Sequence, residues 1–140
     1  QRPLVAHDAA AFGAMMDLVF EKRPFLPYPI LHASEQEALR NATSNTRLWD
    51  AQLKDRYLLE QRLSTLQHHP ILALWGESDR VFDHSGLQSL QKLLPHAHAE
   101  ALPGIGHLPM MEAPKETAQR YARFLGVVAT TPRETTPKIQ

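Results

Sequence analysis

The chain contains no cysteine. That absence excludes disulfides, thiolate metal sites and a cysteine nucleophile. Neither sign of charge is in excess, since 15 Lys and Arg balance 15 Asp and Glu. No global field therefore draws in nucleic acid or an anionic membrane, and a nucleic-acid partner is not expected. No apolar run approaches the roughly eighteen residues of a membrane span. The opening QRPLVAHDAA has neither Met nor the apolar core of a signal peptide, and it reads as a point inside a longer chain. What the 140 residues do have is the composition of one globular domain, 43% apolar and 21% charged, large enough to bury a core. An N-A-T sequon at Asn41 is better explained by chance than by glycosylation.

Eleven prolines punctuate the chain. Asp8 can N-cap a helix over about residues 9–20, whose apolar Phe12, Met15, Met16, Val19 and Phe20 follow an i, i+3, i+4, i+7, i+8 stripe. In KRPFLPYPIL, Pro24, Pro27 and Pro29 each remove a donor, so regular helix is not expected there. Ser34 with Glu37 has the spacing of a capping box for a short helix to about Asn41. A further helix is expected over about residues 46–64, with Leu48, Trp49, Leu53, Tyr57 and Leu63 as apolar candidates. At His69-Pro70 the character changes. ILALW, before Gly76, suits a strand buried on both faces. DHSGLQSLQKLL predicts a helix capped by Asp83, AHAEAL a second strand, and Pro114 opens a last helix through about Leu125. The tail is polar and expected to be flexible.

Residues 68–125 thus read strand, helix, strand, helix, the alternation of a parallel sheet flanked by helices. Two strands alone are marginal and leave open edges, so more of the sheet is expected elsewhere. In such sheets chemistry sits at the carboxyl ends of the strands. Two loops leave those ends: GESDRVFD, rich in carboxylates, and PGIGHLPMME, which holds His107. Asp79 and His107 are separated by about one strand-helix-strand unit, so the two loops should meet. A carboxylate on one imidazole nitrogen would leave the other free to take a proton. Glu77, Asp79 and Asp83 compete for that role. Asp83 is better explained as a helix cap and Glu77 as part of the turn, which favours Asp79. Spacing alone leaves open both this pair and two ordinary loop residues.

ILALWGESDRVFD, followed by LPGIGHLPMMEAP and the closing ETAQRYARFL, resembles the C-terminal half of an α/β-hydrolase. In that family the acid follows a W-G-x-x-D context, matching Trp75, Gly76 and Asp79. The histidine stands in G-x-G-H-x-x-x-x-E-x-P, matching Gly104, Gly106, His107, Glu112 and Pro114. The segment RPLVAHDAAAFGAMMDLVFEKRPFLPYPIL is similar to the helical cap of bacterial lipases and monoacylglycerol-lipase-like hydrolases. The resemblance implies an α/β fold. The resemblance implies that residues 1–66 are a helical cap, residues 67–126 the last strand-helix-strand-helix of an α/β-hydrolase sheet in an incomplete domain, and residues 127–140 a flexible tail. It implies a serine ester hydrolase acting on a small ester or lipid-like substrate, with Asp79 and His107 catalytic and no cofactor. Met15, Phe20, Phe25, Met110 and Met111 become candidate acyl contacts, with core packing as their other reading.

The family's nucleophile elbow, G-x-S-x-G, is missing. Ser34, Ser44, Ser64, Ser78, Ser85 and Ser89 all lack two flanking glycines. The nucleophile is expected on an N-terminal half of the same fold, without which this chain should be inactive. C–C bond hydrolases share this half, as do epoxide hydrolases and dehalogenases with an aspartate nucleophile; a non-catalytic interaction fragment is the alternative of another class. His96 and His98 form a His-x-His pair, with His68, His69 and His84 elsewhere. No well-spaced third ligand supports zinc, so no metal is expected. FLPYP could touch a membrane, but balanced charge supplies no second anchor. A cytoplasmic or membrane-peripheral location is favoured.

Overall fold

A computed structural model describes residues 2–54 and 62–130 of the chain. Helix α1 (Ala9–Val19) begins where the stripe predicts. Asp8 is extended at the N-cap and its Oδ1 accepts the Ala11 N–H at 2.7 Å, satisfying a donor that a first turn leaves free. From the apolar stripe, Phe12 and Phe20 are buried in the core.

The proline-rich stretch starts a helix rather than preventing one. Helix α2 runs Tyr28–Arg40, with Pro27 at the N-cap and Pro29 in the first turn, where no N–H is required. Ser34 consequently lies inside the helix, its Oγ donating to Ile30 O at 2.9 Å. Its presumed capping partner Glu37 instead accepts from Arg40 and Asn41 at the helix end. Helix α3 (Ala42–Gln52) starts ahead of the expected residue 46 and stops well short of 64. Tyr57 lies outside the described residues, and Leu63–Leu66 form a single 3₁₀ turn. Neither α2 nor α3 buries a residue fully; Tyr28, Ile30, Leu48 and Leu53 stay exposed.

Strands β1 (Leu72–Gly76) and β2 (His98–Leu102) pair in parallel, from Leu72 opposite His98 to Gly76 opposite Leu102. They are joined by α4 (Ser85–Leu93), whose inward Leu87 is buried with Leu94 just beyond it. Asp83 does cap this helix, one residue outside its formal start: its Oδ1 accepts the Ser85 N–H at 2.9 Å. After β2, the short α5 (Pro109–Glu112) leads to α6 (Pro114–Thr130). This last helix extends beyond residue 125 into the segment expected to be a flexible tail, because nothing in GVVAT breaks it; residues 131–140 lie outside the described part. Arg120 fastens α6 to the sheet by bonding Glu100 of β2 and, at 2.6 Å, Glu116 of its own helix.

The ladder continues past the strands, with Glu77 N–H donating to Leu102 O and Ser78 N–H to Ile105 O, both at 3.0 Å. Gly76 makes this approach possible. A Cβ there would stand 2.1 Å from Gly106 O and 2.3 Å from Ile105 O, both backbone atoms. Gly76→Ala is expected to destabilise the protein by about 3 kcal/mol or more, since relief requires moving a strand end; an unchanged urea midpoint would contradict this packing. A second expectation concerns α4. The bonds from Ser85 hold the Asp83 carboxyl below its ordinary 3.8. A depressed folded value means the contribution is present above the unfolded value and is lost as pH falls through the folded one. Asp83→Asn keeps a capping oxygen without a proton to gain, so its melting temperature should fall less than that of the wild type between pH 7 and pH 3.

Candidate active site

Asp79 lies three residues beyond β1, its N–H turned back to Gly76 O at 3.2 Å. Its Oδ1 accepts two backbone N–H groups, from Val81 at 2.8 Å and Phe82 at 3.0 Å. These bonds fix the carboxylate plane and leave Oδ2 directed at His107, whose Nδ1 is 2.9 Å away. An ionised carboxylate only accepts, so Nδ1 carries the proton and Nε2 is the basic nitrogen. The Asp79 side chain is 6% exposed and that of His107 25%, so the carboxylate is shielded while the imidazole remains reachable. Of the competing carboxylates, Glu77 is exposed and Asp83 is occupied by Ser85.

His107 is positioned from both sides. Gly104, at φ +65°, takes the left-handed turn that redirects the chain after β2. The backbone N–H of His107 then donates to Val19 O, at the end of α1, at 2.8 Å. The Phe82 ring lies against the imidazole with centroids 5.3 Å apart, and Trp75 Nε1–H donates to Phe82 O at 3.1 Å. Leu74, Trp75, Gly76, Asp79, Phe82 and His107 line an open cleft of about 190 Å³. That is smaller than the roughly 300 Å³ at which ligand pockets begin. The described residues supply one wall of a site rather than an enclosure.

None of the expected acyl contacts lines this cleft. Phe20 is a correction: it is turned into the core at 3% exposure and offers no surface to a ligand. Met15 is half-buried, while Phe25, Met110 and Met111 are exposed. Phe82 and Leu74 are the apolar lining residues that sequence reasoning missed. The signal for Phe82 was its place three residues after Asp79, in the same loop. Glu112 and Arg80 were also given no role; Glu112 accepts from Gly106 N–H, and Arg80 donates to Phe20 O. Among the described residues no group of three or more potential metal ligands converges. His98 packs edge-on against Phe124 and His96 Nε2 lies 3.2 Å from Leu66 O, so this pair is engaged separately. No described helix is long and apolar enough to cross a membrane.

Residues 15–114 match the family model of the alpha/beta hydrolase fold. Lipase 3 of Moraxella sp. (strain TA144) is 27% identical over 122 residues, which are 87% of this chain and 39% of that protein. Monoacylglycerol lipase ABHD6 of Homo sapiens is 36% identical over 78 residues, 56% of this chain and 23% of its own length. Among solved structures, a membrane phospholipase A described as a bacterial virulence factor superposes with a TM-score of 0.83 at 35% identity. That match covers 92% of this chain and 41% of the other. The chain thus spans about two fifths of the length of the lipase and phospholipase relatives, 39% and 41%. A parallel strand pair with flanking helices, an acid and a histidine on adjoining strand ends, and a family match over most of its length place this chain in the alpha/beta hydrolase fold family.

Proposed function

We propose that the complete protein containing this chain is a serine ester hydrolase of the lipase kind, in which Asp79 and His107 are the triad acid and base. The observation that carries the reading is the 2.9 Å contact between Asp79 Oδ2 and His107 Nδ1, with the other carboxylate oxygen held by two backbone N–H groups. A nucleophilic serine on an N-terminal portion of the same fold gives its proton to His107 Nε2 as it attacks the ester carbonyl. The imidazolium so formed is stabilised by Asp79 and returns the proton to the leaving alcohol. Water then repeats the cycle to release the acid. Donors for the oxyanion belong, in this reading, to the same N-terminal portion.

Residues 1–66 are proposed as a cap over the site and residues 67–126 as the acid-and-histidine part of the core. The relatives' names, lipase, monoacylglycerol lipase and phospholipase A, support an ester of lipid-like character as substrate. Phe82 and Leu74 offer apolar surface to an acyl chain in the cleft, and exposed Phe25, Met110 and Met111 with half-buried Met15 offer it outside the cleft.

The test is hydrolysis of p-nitrophenyl butyrate by this chain alone and joined to an N-terminal half bearing a G-x-S-x-G serine. Turnover is expected only in the joined protein and should fall to background in His107→Ala. Asp79→Asn should lower kcat by about 10⁴, the scale seen when a triad acid is neutralised. A folded joined protein without turnover would exclude ester hydrolysis, and turnover by the chain alone would exclude an external nucleophile.

A further inference from the structure

We infer that Glu112 is a positioning residue, which with Arg80 clamps both loops of the Asp79–His107 pair to one peptide, residues 17–22 at the end of α1. The inference rests on the reading of His107 as the catalytic base. Glu112 closes α5 and spreads its carboxylate over three backbone donors. Oε1 accepts the N–H of Gly106 at 2.9 Å, while Oε2 accepts those of Glu21 at 3.2 Å and Lys22 at 3.0 Å. The first donor immediately precedes His107; the other two lie about ninety residues away in sequence. His107 itself is tied to the same peptide through Val19 O.

The acid loop is held to that peptide by a second side chain. Arg80, adjacent to Asp79, donates from Nη2 to Asp17 O and, at 2.7 Å, to Phe20 O. Its Nη1 lies 3.8 Å from Glu21 Oε2. One hexapeptide therefore references both loops, and its backbone sets how far apart they stand. Gly106 shows how tightly the seat is built. A Cβ there would lie 2.7 Å from Glu112 Oε1, 2.7 Å from Glu21 N and 2.8 Å from Val19 O. An ionised carboxylate shared among three N–H groups is a strong acceptor. Glu112 spends its oxygens on backbone, not on the imidazole, so its action on His107 is indirect.

Glu112→Gln in the joined protein keeps the side chain's size but turns an NH₂ toward one set of N–H donors. The expected result is a fall in kcat of about 10²-fold, the scale of an ångström-sized misplacement, with KM within a factor of two. The far-downfield proton signal of the His107 Nδ1–H should broaden or vanish. If this variant does not fold, Arg80→Gln opens the clamp from its exposed side and should weaken the same signal. A folded variant with unchanged kcat and an unchanged Nδ1 proton would overturn the inference. A purely structural role would lower the melting temperature and leave both readouts of the folded fraction intact, which also overturns it. The proton signal is readable whether or not esters are hydrolysed. Its loss in variants of a protein without esterase activity would support the clamp and reject only the proposed reaction.

Discussion

The hydrogen bond from His107 to Asp79 exists because two parallel strands end level with each other. Trp75 pairs with Ala101 and Gly76 with Leu102, and the ladder extends through Glu77 and Ser78 to Leu102 and Ile105. A slip of one residue would move one loop by about 3.3 Å relative to the other. That exceeds the tolerance of a hydrogen bond of 2.9 Å. Register is therefore a condition of the Asp79–His107 contact, and Gly76 is what lets the register persist to the loop roots. Any side chain there would strike the carbonyls of Ile105 and Gly106.

Electrostatics follows from that geometry. Shielding a carboxylate from water is costly unless its oxygens are bonded, and Asp79 meets the condition with two N–H groups on Oδ1 and the imidazole on Oδ2. The bonds of Glu112 follow the same logic one layer further out. Both acids are held by main-chain donors, whose positions are set by the fold and cost no side-chain entropy to order. The exposed pairs of Arg2 with Asp50 and Arg40 with Glu37 are of a different kind. They lie in solvent, where such pairs contribute little.

Much of this was legible in the sequence where a local rule acts alone. The stripe from Phe12 to Phe20 and the cap at Asp8 gave α1, and the apolar run before Gly76 gave β1. The spacing of Asp79 and His107, about one strand-helix-strand unit, pointed to their meeting. Misreadings arose where two local rules competed. Pro27 and Pro29 were read as helix breakers, yet a first turn needs no N–H, so the same residues begin α2. Ser34 and Glu37 had the spacing of a capping box but fell within that helix, where their side chains found other partners. Phe20 belonged to an apolar stripe whose inward side the sequence could not distinguish from a ligand-facing one. The clamp was only partly legible. Gly106 and Glu112 stand in the G-x-G-H-x-x-x-x-E-x-P pattern, but the bonds to the end of α1 join residues 60 to 91 positions apart and fall on its backbone atoms, which leave no pattern in side-chain order.

The described sheet presents a further asymmetry. Parallel strands are normally covered on both faces, but four of the five residues of β1 are only partly buried, and the cleft beside Asp79 and His107 is open. Even so, Asp79 and His107 are supported among the described residues by the strand register, the N–H groups of Val81 and Phe82, and the peptide at the end of α1. None of these supports lies outside the described residues, so the imidazole is oriented without further strands. The contact with Asp79 favours the tautomer that carries its proton on Nδ1. The geometry of the pair is thus set by strand register and main-chain donors.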